Sequence, residues 1–105
     1  MITDFYNHLT QLLNHDKHKE FEQMILTEYQ ADSASFPSID ICVYQQRPYT
    51  HAIIDIGFIG PLCAPIGHGY AKCNPRDEWN EDIGAQIAVI RAARRLFRKL
   101  LQYYT

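Results

Sequence analysis

An α+β fold is predicted by three features of the sequence. Apolar residues recur at helical spacing over the first thirty positions, the period switches to two near position 39, and helical spacing returns after position 82 in a strongly basic segment. The expected order is N-terminal helices, a three-stranded antiparallel meander and one long C-terminal helix, within a single domain spanning residues 1–105. A chain of 105 residues supports one core but buries its surface incompletely, so a homo-oligomer is expected.

Each element has its own warrant. Ile2, Phe5, Tyr6, Leu9, Leu12 and Leu13 fall three and four residues apart, the spacing of an amphipathic helix. Phe21, Met24, Ile25 and Tyr29 mark a second apolar face. The polar cluster Asn14-His15-Asp16 separates the two, and Ala31 to Pro37 ends the second; one bent helix or two helices both fit. Ile39, Ile41 and Val43 alternate with Asp40, Cys42 and Tyr44, the pattern of a half-buried strand, and Gln45 to Thr50 suits a hairpin turn. His51 to Ile59 is nearly continuous apolar sequence, which predicts a central strand. Gly60 to Gly69 breaks that run with glycines and prolines, and Tyr70 to Cys73 is expected as a short third strand.

The last helix should begin between Asp77 and Asp82, where Asp77, Glu78, Glu81 and Asp82 suit the positive end of the helix dipole. Ile83, Ile87, Ile90, Phe97, Leu101 and Tyr104 lie near one side. Ala88, Ala92, Ala93, Leu96 and Leu100 widen that stripe beyond what one small sheet face needs, which points to a partner. Arg91, Arg94, Arg95, Arg98 and Lys99 supply five of the ten Lys and Arg residues, and the four arginines are expected along one stripe.

Composition excludes several classes. With 47% hydrophobic and 21% charged residues the chain is globular rather than disordered, and a net charge of -2 argues against indiscriminate coating of nucleic acid. Cys42, Cys63 and Cys73 are an odd number, best read as reduced thiols of a cytosolic protein. The start lacks a basic and an apolar signal region, and Ala52 to Leu62 is too short and too interrupted to span a bilayer, so no membrane contact is expected.

Catalytic chemistry finds little to use. His8, His15 and His18 lack the further ligands a metal needs, and no cofactor motif is present. Cys63, His68 and Cys73 surround a glycine-rich loop, but their spacing fixes no nucleophile pair, and buried thiols with a solvated histidine are the simpler reading. The loop carries neither the dinucleotide fingerprint nor a P-loop lysine. Trp79 reads as a core plug or a base-stacking ring, Asn80 as a helix cap or a ligand reader. No carboxylate pair, triad or complete metal set can be assembled, so an enzyme is the least favoured class.

The string Gly69-x-Ala71-x-Cys73-x-Pro75-x-Asp77-x-Trp79-Asn80, followed by Gly84, Ile87-Ala88 and Arg91-Ala92, resembles the C-terminal segment of small phage and prophage α+β proteins. Some proteins of that kind resemble anti-Thoeris sponges, which sequester cyclic nucleotide-type signals between subunits without cleaving them. The resemblance implies a phage anti-defence protein acting in the cytoplasm of an infected bacterial cell. A small nucleotide ligand would need guanidinium forks for phosphate, a ring for the base, and amides or hydroxyls for ribose. Arg91, Arg95, Trp79, Asn74, Asn80 and Tyr70 are close enough in sequence to supply them. Two alternatives stand beside this one. The order of elements resembles the double-stranded RNA-binding layout, though the start of the last helix is acidic where that layout carries lysines. A phage inhibitor docking on a host protein would use the same aromatic and arginine residues as anchors.

Overall fold

Two helices open the chain. In the computed structural model, which describes residues 2–31, 39–59, 62–63 and 66–104, and the side chains of 7–31, 39–57 and 66–102, α1 spans Ile2–Asn14 and α2 spans His18–Gln30. They are separate because Asp16 takes a left-handed conformation, φ 50°. The Lys17 N–H then reaches the Leu12 carbonyl at 2.9 Å and the Asp16 N–H reaches that of Leu13 at 3.3 Å, which closes α1 in a Schellman turn. The expected stop from Asp32 to Pro37 lies outside the described residues.

The main sheet has the order β1-β2-β5, antiparallel throughout, with β1 at Asp40–Gln46, β2 at Tyr49–Asp55 and β5 at Ile66–Lys72. Arg47 and Pro48, joined by a cis peptide, form the two-residue turn between β1 and β2. After β2, Gly57 adopts φ 75° and its N–H is held by the Asp55 carboxylate at 2.8 Å. A small hairpin of β3 (Phe58–Ile59) and β4 (Leu62–Cys63) leads to β5. The continuous apolar run is thus divided, and its first part is the central strand.

The third strand begins four residues before the expected start. From sequence, Ile66-Gly67-His68-Gly69 reads as part of the glycine-rich loop, since glycine is disfavoured in strands. Their place in β5 follows from α3, Glu81–Tyr104, which lies directly on them. A Cβ built on Gly67 would sit 2.6 Å from the Ala92 carbonyl oxygen, and one on Gly69 would sit 2.0 Å from that of Ala88. The glycines of the strand and the alanines of the helix let two backbones approach where side chains would hold them apart.

One face of the sheet, Thr50, Ala52 and Ile54 at its centre, packs on α3, and the far side of α3 packs on α1 and α2. The surplus apolar width of α3 is taken up there. Phe21 and Phe97 are fully buried with ring centroids 5.0 Å apart, and Leu9, Leu12, Ile25 and Leu100 close around them. Each such side chain contributes about 1.5–3 kcal/mol through burial. Glu22, buried among them, receives Nε and Nη2 of Arg94 at 3.0 and 2.9 Å, tying α2 to α3. No described helix is long and apolar enough to cross a membrane.

Candidate functional site

The seating of α3 on the glycines of β5 fixes where its basic residues go. The five cations form a band about 140° wide at 3.6 residues per turn, and neighbouring elements divide it in two. Arg94 turns to Glu22, and Arg98 lines the groove between α2 and α3. Arg91, Arg95 and Lys99 turn the other way, to the outer edge of β5. There Nη1 of Arg91 donates to the Tyr70 carbonyl at 2.8 Å, Nη1 of Arg95 to that of His68 at 3.4 Å, and Nζ of Lys99 to that of Ile66 at 2.9 Å. The match is geometric. Four residues of helix rise about 6 Å and two residues of strand about 6.6 Å, so each step of one meets the next outward carbonyl of the other.

The opposite face of the sheet is open, and its side chains follow from the register. One row is Tyr44, His51 and Tyr70; the next is Cys42, Ile53 and His68; a third is Gln46, Tyr49 and Lys72; Asp40, Asp55 and Ile66 form the last. Tyr44, Tyr49 and Tyr70 are each at least half exposed. His51 and Tyr70 stack face to face, with centroids 4.4 Å apart at 13°. His51 and His68 instead meet edge to edge: Nε2 and Nδ1 are 3.0 Å apart while the centroids are 5.2 Å apart. One of those nitrogens must carry the proton and the other accept it. The Arg95 guanidinium lies 5.8 Å over Tyr70, and the Lys72 ammonium lies 5.5 Å over Tyr49.

The six residues expected at a site fall into two groups. Tyr70, Arg91 and Arg95 come together at the border between the open face and the β5 edge. Asn74, Trp79 and Asn80 lie in the turn before α3. Asn80 caps that helix, its Oδ1 accepting the Ile83 N–H at 3.0 Å, and Asn74 Oδ1 accepts the Arg76 N–H at 3.0 Å. Trp79 is half-buried under the Arg47 guanidinium, 5.7 Å away, beside a hollow of about 590 Å³ whose wall includes Pro48 and Cys73.

The sequence does not join Tyr44, Tyr49, His51 and Lys72 to these residues, and it offers His68 only as a partner for a cysteine. Alternation in β5 turns His68, Tyr70 and Lys72 away from Gly67, Gly69 and Ala71, but the rows they share with β1 and β2 exist only through register. The Cys-His reading finds no pair between Cys73 and His68. The Cys73 thiol faces the carbonyls of Asn74, Asp77 and Glu78 at 3.5 to 3.7 Å, and His68 faces His51. The Cys63 side chain lies outside the described residues. Among the described residues no three His, Cys, Asp or Glu side chains gather to hold a metal.

The arrangement presents charge and ring surface side by side, fixed by backbone contacts. A family model described as Rv2632c-like matches residues 38–104, which take in the whole sheet and α3 but neither α1 nor α2. No curated protein and no solved structure matches the chain.

Proposed function

The chain belongs to the Rv2632c-like family, and because its matched segment is the part that carries both the open sheet face and the basic edge, we propose that this segment is a non-catalytic module that captures a nucleotide unit there. The observation that carries this reading is the anchoring of Arg91 and Arg95 on the carbonyls of Tyr70 and His68, beside the ring row Tyr44-His51-Tyr70. Each guanidinium spends one donor on the strand. The rest of its planar fork stays available for phosphate oxygens, and a side chain already held in place loses less freedom on binding. Tyr70 and Tyr44 supply ring surface for a base.

Capture asks for affinity and no reacting group, so the role fits sequestration of a small nucleotide signal, as the phage resemblance implies. A duplex-binding role is less well supported, because the turn before α3 carries Asp77 and Glu78 and its first residues are Glu81 and Asp82, near the place where that layout meets phosphate. Isothermal titration with cyclic ADP-ribose, AMP and a dinucleotide tests the reading. Arg95→Ala and Tyr70→Ala should each weaken binding about tenfold or more without lowering the melting temperature appreciably. Equal heats for wild type and both variants, or no heat with any of the three probes, would overturn it.

A further inference from the structure

The basic edge extends beyond the two arginines that one nucleotide needs. Lys99 continues the series at the same interval, anchored on Ile66 as Arg91 is on Tyr70 and Arg95 on His68, so three cations stand about 6 Å apart along roughly 12 Å. From Ile83 to Tyr104 there is no Asp or Glu, so α3 itself brings no carboxylate against these three cations, on a chain whose net charge is -2. Aromatic surface leads away from the Arg91 end of this series and across the sheet, with Tyr70 under Arg95, Tyr44 at the far end of the same row and Tyr49 in the next.

A linear series of cations next to a sheet of exposed rings is the pairing that single-stranded nucleic acid requires, with phosphates tracking the charge and bases reaching the rings. We infer that the ligand is a single-stranded oligonucleotide lying along the β5 edge, with one phosphate at each of Arg91, Arg95 and Lys99 and its bases over Tyr70 and Tyr44. This rests on the nucleotide reading above and extends it from one unit to a strand. Asp40 and Asp55 share the register row of Ile66, so their carboxylates border the Lys99 end of the series and direct the bases toward the Tyr70 row instead. Only one side of the duplex backbone fits so narrow an edge, and a paired base cannot turn to the rings, so a duplex is the poorer ligand.

The test is fluorescence anisotropy with labelled oligothymidylates of one, two, four and eight nucleotides, and with a blunt eight-pair duplex, between 50 and 200 mM salt. Affinity should rise up to about four nucleotides and then level. Three neutralised phosphates give a slope of log K against log salt near -2, about an eighteenfold loss across that range, from about -0.7 per single-strand phosphate contact. Lys99→Gln should flatten the slope by about 0.7, with an unchanged circular dichroism melt showing that the fold is intact. A mononucleotide bound as tightly as the octamer would overturn the strand and leave the single-nucleotide reading standing. Absence of binding to any probe would overturn both. Duplex bound more tightly than single strand, or a sheet face occluded by self-association at the assay concentration, would also overturn the inference.

Discussion

Replacing Gly69 by alanine tests the seat of α3 most directly. The added Cβ would lie 2.0 Å from the Ala88 carbonyl oxygen, 2.3 Å from the Ala92 nitrogen and 2.9 Å from the Ala92 Cα, all of them main-chain atoms that cannot rotate away. Restoring ordinary contact, at 3.4 Å or more, means moving α3 back by about 1.4 Å. Retreat on that scale strips dispersion contacts from the helix's buried residues, including Val89 and Leu96, and a radial gap of 0.5–1 Å already forfeits a quarter to a half of each. Overpacking of this kind costs about 1–3 kcal/mol and sometimes more, and backbone collision places Gly69→Ala at the upper end, about 3 kcal/mol. For a domain of this size that is a fall of about 12–24 °C in melting temperature.

Gly69 has no positive φ, so the cost is steric and not a matter of glycine's backbone freedom. Gly84→Ala is the internal control. Its Cβ meets side-chain atoms, Oγ1 of Thr50 at 3.0 Å and Nε2 of Gln45 and Cβ of Thr50 at ordinary contact distance, and alanine gains up to about 1 kcal/mol of helix propensity, so the variant should stay within about 1 kcal/mol of wild type. Thermal and urea melts followed by far-UV circular dichroism read both. A Gly69→Ala protein that melts within a few degrees of wild type would refute the claim that helix and strand meet backbone to backbone.

Other outcomes follow from contacts between elements. Arg94→Ala leaves the Glu22 carboxylate buried without its partner; because Arg94 is itself half exposed, the loss should be about 1–3 kcal/mol, below that of a fully buried pair. Adding Glu22→Gln to Arg94→Ala should recover part of it in urea melts, and an additive double variant would show that the two side chains do not interact. Asn80→Ala removes the cap on the Ile83 N–H and should cost about 1 kcal/mol, while Asn80→Asp should retain most of the stability in the same melts.

The elements that were legible in the sequence are those whose pattern is local. Leu9, Leu12 and Leu13 announce α1, Ile41 and Val43 announce the face of β1 that meets α3, and the Asn80 cap with its acidic neighbours announces the start of α3. What was not legible depends on a second element. Gly67 and Gly69 look like loop residues until α3 is laid on them, and the four arginines look like one stripe until β5 and α2 draw them apart. Three of the six expected site residues, Tyr70, Arg91 and Arg95, do meet, since strand and helix run past each other in step. Asn74, Trp79 and Asn80 instead line a hollow of about 350 Å³ with Ala71 and Ile87. The His51 and His68 contact had no sequence signal strong enough to find it, because a seventeen-residue separation becomes a 3.0 Å hydrogen bond only once the β2–β5 register is known.

The cations along β5 also bear on how the protein avoids its own kind. A bare outermost strand offers a ladder of acceptors that any passing strand can join, the usual beginning of runaway stacking into fibres. Here the outward oxygens of Ile66, His68 and Tyr70 are already engaged, and two copies approaching along this border would bring positive charge against positive charge. A neutral replacement of all three side chains would free those oxygens and leave a smooth, glycine-bearing border without charge to turn a neighbour away.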